Sequence, residues 1–127
     1  MKLLLDTHTF LWFGENSKHL PTKTRKMMED SSHTLHLSIA SLWEIAIKMS
    51  LGKLKTKQPL AKTIQQTKDQ GIHILAVTPE HTLLISKLPF HHRDPFDRMI
   101  IAQALEEQMT IVGKDELFEL YGVKRVW

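Results

Sequence analysis

The sequence predicts an α/β domain built on a short, mostly parallel sheet with helices on both sides, and two observations carry that prediction. Short apolar runs suited to strands buried on both faces recur along the chain, at Lys2-Leu3-Leu4-Leu5, Thr34-Leu35-His36-Leu37, Ile72 to Val77 and Met109-Thr110-Ile111-Val112. Between them lie segments with helical period and helix-start signals, and no linker, repeat or low-complexity tract interrupts the alternation. A chain of 127 residues, 42% hydrophobic and 24% charged, fits one globular domain spanning 1–127.

Each element has a local cause. Asp6 ends the first strand, and Thr7-His8-Thr9 opens a short helix through Phe10, Leu11 and Trp12. A second helix is expected from Pro21 to Glu29. After the second strand, Ser38 or Ser41 caps a helix whose apolar positions Ile39, Leu42, Trp43, Ala46 and Met49 follow the 3.6-residue period, and Gly52 is its stop signal. Lys53 to Lys57 reads as a basic loop before a helix from Pro59 to Lys68. Thr78-Pro79 places a cap before a proline and opens a helix to Lys87. Asp94-Pro95 repeats that signature, and Phe96 to Leu105 is apolar almost all round, as a buried helix is. Asp115 caps a short helix through Tyr121, and Val123 to Val126 is a last edge strand.

Composition removes several function classes. There is no cysteine, hence no disulfide and no thiolate–zinc site, which fits the cytoplasm. The apolar N-terminal run is cut by Asp6 and is too short for a signal peptide or a bilayer span, so no membrane role is expected. His91-His92 is adjacent rather than spaced along a helix, and no other histidine pair has a metal-binding spacing. No serine lies in a nucleophile-elbow pattern. Trp12 and Trp43 fall in apolar helical patterns and read as core or interface. The formal charge of +3 is modest, yet Lys48 to Lys68 holds six lysines and no acid, and Lys18, Lys23, Arg25 and Lys26 form a second basic group. Such clusters suit either a solvated surface or a phosphate backbone.

The acids are more specific. On a parallel sheet the carboxyl ends of the strands share one edge, and ligands bind there in open α/β sheets. Asp6, Glu44, Asp97 and Asp115 each fall at a strand end or in the first turn of the following helix. Each has a local role available: Asp6 and Asp115 as caps, Glu44 as a partner of Ser41 or Lys48, and Asp97 in a capping-box-like pair with Asp94. Four acids converging on one edge repel one another unless a cation neutralises them. Magnesium or manganese takes carboxylate oxygens, keeps waters and leaves positions for phosphate, and so can activate water for an in-line displacement.

Five segments in order then resemble one family. They are Leu4-Leu5-Asp6-Thr7-His8, Ser38 to Lys48, Leu51-Gly52-Lys53-Leu54, His92 to Arg98 with Ile101-Ala102-Gln103-Ala104, and Asp115 with Phe118. Together they resemble PIN-domain proteins, and in particular VapC-type toxins of type II toxin–antitoxin pairs. The resemblance implies a PIN fold and an Mg2+- or Mn2+-dependent endoribonuclease with Asp6, Glu44, Asp97 and Asp115 as its acidic site. Asp6 and Asp97 are the first candidates as metal ligands, Glu44 and Asp115 follow, and Asp94 is an N-cap that can also serve the site. Lys48, Lys53, Lys55 and Arg98 are the candidate RNA contacts, and His8 and His92 lie near enough to touch substrate. The resemblance further implies a homodimer and a VapB-like antitoxin that silences the enzyme. In one departure, Gly113 stands where many members carry threonine or serine, so a hydroxyl that would support the site is absent. Two rival readings are an RNA-binding PIN module without catalysis and an aspartyl phosphotransferase using Asp6. Such transferases usually place a second acid two residues on, where this chain has His8.

Overall fold

The structure, a computed structural model, describes residues 1–127. Its centre is β1 (Lys2–Leu5), whose three leucines are completely buried because helices cover both faces of the sheet. Their side chains alternate across the sheet: Leu3 and Leu5 enter one core with Phe10, Leu37, Leu42 and Ile45, while Leu4 enters the other with Ile100, Ile101, Ile111 and Phe118. Burying each such leucine stabilises the fold by roughly 1.5–3 kcal/mol.

Around β1 the chain lays down α1 (Thr7–Gly14), α2 (Thr22–Glu29), β2 (Thr34–Ser38), α3 (Ile39–Ser50), α4 (Leu60–Asp69), β3 (His73–Leu75), α5 (Pro79–Ile85), α6 (Pro95–Glu107), β4 (Thr110–Val112), a 3-10 helix (Glu116–Tyr121) and β5 (Arg125–Val126). The strand order is β3-β2-β1-β4-β5, and every neighbouring pair is parallel. The sheet is therefore wholly rather than mostly parallel. The chain winds outward from β1 to β3, then returns to place β4 on the other side of β1. A crevice is left at that reversal, beyond the carboxyl ends of β1 and β4.

The expected caps are present at most helix starts. Asp6 Oδ1 accepts the Thr9 N–H at 2.8 Å, and Asp94 Oδ1 accepts that of Phe96 at 2.8 Å. Thr78 forms a reciprocal capping box with His81, in which the imidazole Nδ1 takes the place of a carboxylate. Of the two serines offered as the cap of α3, Ser38 fills the position. Starting the helix there puts Glu44 in the second turn, one turn deeper than the first-turn position expected for it. Asp115 caps a 3-10 helix, with Oδ1 accepting from the Leu117 N–H at 2.9 Å. Trp43, expected in a core or an interface, is 64% exposed and meets Phe96 edge-on at 5.4 Å. No helix is long and apolar enough to cross a membrane.

Candidate active site

The crevice at the strand reversal is a cleft of about 230 Å³ into which five carboxylates open: Asp6, Glu44, Asp94, Asp97 and Asp115. Larger hollows exist, one of about 490 Å³ at the opposite end of the sheet, but that one offers only Glu29 and Asp30 as acids. Convergence of charge, not size, singles out the smaller cleft.

Asp6 arrives at the end of β1, where its backbone N–H continues the ladder to Val112 O at 3.1 Å. Burial pushes its carboxyl above the ordinary value, against the lowering by its hydrogen bonds from Thr9 and by nearby His8. Glu44 is buried on α3 and held from two sides: Thr7 Oγ1 donates to Oε1 at 2.7 Å, and Lys48 Nζ donates to Oε2 at 2.8 Å. Ser41 serves Thr7 instead, at 3.0 Å, so of Glu44's two expected partners Lys48 is the one that pairs. Lys48, expected to contact RNA, thus stands inside the acid cluster, its pKa raised first by the Glu44 hydrogen bond and further by the charges of Glu44, Asp94 and Asp97.

Asp97 is the least compensated member. The Asp94 carboxylate accepts the Asp97 N–H at 3.4 Å, but Asp97 does not complete a reciprocal capping box. Its carboxyl is pushed up to about 6, by burial first, then by the charges of Asp94, Glu44 and Asp6, with His92 pulling the other way. Asp115 is the opposite case. Partial burial would raise it, but His92 and the Leu117 N–H hold its carboxyl below the ordinary value. His92 Nε2 lies 2.7 Å from Asp115 Oδ2, and its Nδ1 lies 3.1 Å from the Tyr121 hydroxyl, which accepts the His91 N–H at 3.0 Å. The imidazole stacks on Phe118 at 5.1 Å. His92, expected near substrate, therefore orients an acid, joining residues 23 positions apart.

Gly113 has a spatial cause. A Cβ at this position would stand 2.7 Å from Asp6 Oδ2 and 3.2 Å from the Phe118 ring, so the place of the absent side chain is taken by the acid itself. Asp6 cannot readily swing away because it also caps α1. Gly113→Ala is expected to destabilise the protein by about 1–3 kcal/mol through overpacking, and Gly113→Thr by more. Thermal melting of the variants checks this, and wild-type stability in Gly113→Thr would mean that Asp6 has another resting position.

Arg98 corrects an expectation. Placed among the RNA contacts from sequence, it is 6% exposed and turned inward, donating to the carbonyls of Ile85, Leu88, Pro89 and His92 at 2.9–3.4 Å beneath the Phe90 ring. It fastens the end of α5 and the loop that delivers His92 and Asp94 to the cleft. Lys53 and Lys55 lie in the loop after α3, and both are exposed.

The donor set is wholly oxygen, which suits a hard divalent cation. No three acidic or histidine side chains are gathered tightly enough to form a ready-made cage. That spread fits an ion that keeps most of its waters and takes one or two carboxylates directly, as magnesium does.

Comparison with known proteins places the chain. The PIN domain family model matches residues 3–124. The chain belongs to the PIN domain family. Ribonuclease VapC22 of Mycobacterium tuberculosis (strain ATCC 25618 / H37Rv) is 26% identical over 116 residues, covering 89% of this chain and 86% of the relative. Among solved structures, VapBC2 from Rickettsia felis bound to a DNA fragment from their promoter superposes with a TM-score of 0.73 at 15% identity, over 99% of this chain and 98% of the other. DNA-bound VapBC from Salmonella typhimurium gives 0.70 at 18% identity, over 99% and 97%. The PIN fold of this chain, a five-stranded parallel sheet between helices, is the fold of those structures.

Proposed function

We propose that this PIN domain is an endoribonuclease that hydrolyses RNA phosphodiester bonds with a bound divalent cation, and that it is the toxin of a toxin–antitoxin pair. The observation that carries the reading is the convergence of five carboxylates on one small cleft that Lys48 alone faces with a fixed positive charge. Five carboxylates against one lysine leave the metal-free site poorly neutralised, and at Asp97 burial first and then the charges of Asp94, Glu44 and Asp6 raise the carboxyl. Similarity to a ribonuclease supports the choice of RNA, and similarity to VapBC structures supports a VapB-like partner. A cytoplasmic homodimer completes the proposal.

Asp6 and Asp97 would hold Mg2+ or Mn2+, with Asp94 beside Asp97 and with Glu44 and Asp115 orienting what surrounds the ion. Such a cation, when bound, supplies an activated water and neutralises charge on the phosphate. The chain itself keeps the acids in place. Thr7 and Lys48 fix both oxygens of Glu44, His92 and the Leu117 N–H fix both oxygens of Asp115, and the Thr9 N–H fixes one oxygen of Asp6. No side chain is placed as a nucleophile. Pre-orientation of this kind is how a site avoids reorganising at the moment of reaction.

A second reading, RNA binding without catalysis, would use the exposed lysines Lys53 and Lys55 of the loop after α3. Cleavage of total RNA by the purified, partner-free protein separates the two. Discrete cuts are expected with magnesium or manganese, none with chelator, and none with Asp6→Asn prepared identically. If wild type and Asp6→Asn leave RNA equally intact while both bind it, the binding module is the better account.

A further inference from the structure

The acidic cleft opens onto a group of aromatic rings that the acid chemistry does not use. His8 lines the cleft, is exposed, and sits one helical turn before Trp12 on α1, with ring centroids 5.5 Å apart and planes tilted by 31°. Trp12 continues to His19 at 5.3 Å and to Trp127 at 5.9 Å, with His19 again exposed. Trp12 is itself packed against the core, so it forms a rigid backing for the two imidazoles. The strip thus starts inside the cleft and leads away from it across α1.

We propose that His8, backed by Trp12, is a nucleobase-stacking subsite beside the acidic cleft, and that His19 continues it along the RNA strand that leaves the cleft. The inference rests on the ribonuclease reading for its choice of polymer. Stacking needs a base whose face is free, which a single strand offers and a duplex does not. Charge favours a polyanion as the occupant: five of the fourteen acids and one of the seventeen lysines and arginines lie in the cleft, leaving nine acids against sixteen bases elsewhere, with Lys18 next to His19. The more exposed Trp43 is a weaker candidate, because it is engaged edge-on by Phe96 and does not line the cleft.

The test measures binding rather than cleavage. Fluorescence anisotropy would compare three labelled probes with calcium replacing magnesium: a twelve-nucleotide adenosine RNA, the same backbone without bases, and a twelve-base-pair RNA duplex. Wild type is expected to bind the base-bearing strand roughly tenfold or more tightly than the abasic strand, and to bind the duplex no better than the abasic strand. His8→Ala should lose most of that difference, and His8→Phe, which restores a ring, should recover it. An equal loss by His8→Ala on the base-bearing and abasic strands would overturn the proposal, since it would mark His8 as a charge and not a stacking face. Failure of wild type to bind any of the three would also overturn it and assign the strip to a protein partner. Cleavage of total RNA in magnesium by the same preparations fails or succeeds independently, so loss of the nuclease reading would not be mistaken for loss of this one.

Discussion

Asp97→Asn is expected to make the metal-free protein more stable at pH 7 while removing its response to metal and its cleavage of RNA. The carboxyl of Asp97 titrates at about 6 in the folded protein against an ordinary 3.8. Between those values the folded chain holds a proton that the unfolded chain has released, so stability falls as pH rises from about 3.8 to about 6 and stays lower above it. The shift corresponds to about 3 kcal/mol at most, and to about 1–2 kcal/mol once the partial exposure of the group is allowed for. An amide carries no such penalty. Melting temperatures of metal-free wild type should therefore decline across that window, while those of Asp97→Asn should decline less. Asp6 is shifted in the same direction and will leave a residual slope in the variant.

Adding magnesium or manganese should reverse the order. A cation that binds only the folded state stabilises it by about 2.7 kcal/mol at a hundred times its dissociation constant, and the variant lacks the carboxylate that would hold it. Cleavage by Asp97→Asn should fall by more than about a hundredfold, because even outer partners of metal ligands are commonly worth about 10–100-fold. Superimposable pH–melting profiles for wild type and variant would show that the acid cluster is already relieved, and the case for a cation at Asp97 would go with it.

Arg98→Ala is expected to be strongly destabilising, by about 2–4 kcal/mol, although the residue touches none of the acids. Its guanidinium donates to four carbonyls, two of them from Ile85 and Leu88 at the end of α5, where the helix dipole also favours a cation. Removing it takes the donor from the buried Leu88 carbonyl and from the part-buried Pro89 and His92 carbonyls, while Ile85 O keeps the Leu88 N–H, and it frees the loop from Leu88 to Asp94. Arg98→Lys should recover only part of the loss, since an ammonium point charge cannot span carbonyls arranged for a planar fork. Thermal unfolding measures the cost. If Arg98→Ala melted within a degree or two of wild type, the four contacts would be offset by solvation of the freed loop, and anchoring of His92 would need another source.

Much of this fold is written in short-range signals. The runs at Leu3-Leu4-Leu5 and Ile111-Val112, the caps at Asp6, Asp94 and Asp115, and the Asp94-Pro95 start of α6 each depend on residues within about four positions of one another. Hydrogen-bond valence and hydrophobic period at that range are local properties, so a sequence displays them. Alternation of strand and helix then forces a parallel sheet, and a parallel sheet gathers the strand ends, which is why the sequence alone groups Asp6, Glu44, Asp97 and Asp115. Nothing local separated Ser38 from Ser41 as the cap of α3, because both are good acceptors and only the packing of Thr7 against Ser41 claims the second.

The remaining decisions belong to contacts between distant segments. Arg98 is a plausible phosphate ligand by type, and only the path of the loop before α6 turns it onto four carbonyls. His92 meets Asp115, and Gly113 leaves room for Asp6, because β4 returns beside β1 after two strands and six helices have intervened. Side-chain direction at such junctions is set by which surfaces the sheet brings together, and that is a property of the tertiary structure. The sequence by itself determined the elements, their parallel arrangement and the edge that carries the acids. The tertiary structure decided which acids are compensated, which cation is buried in a loop and which glycine makes space for Asp6, since burial and the pairing of charges exist only once the chain has closed on itself.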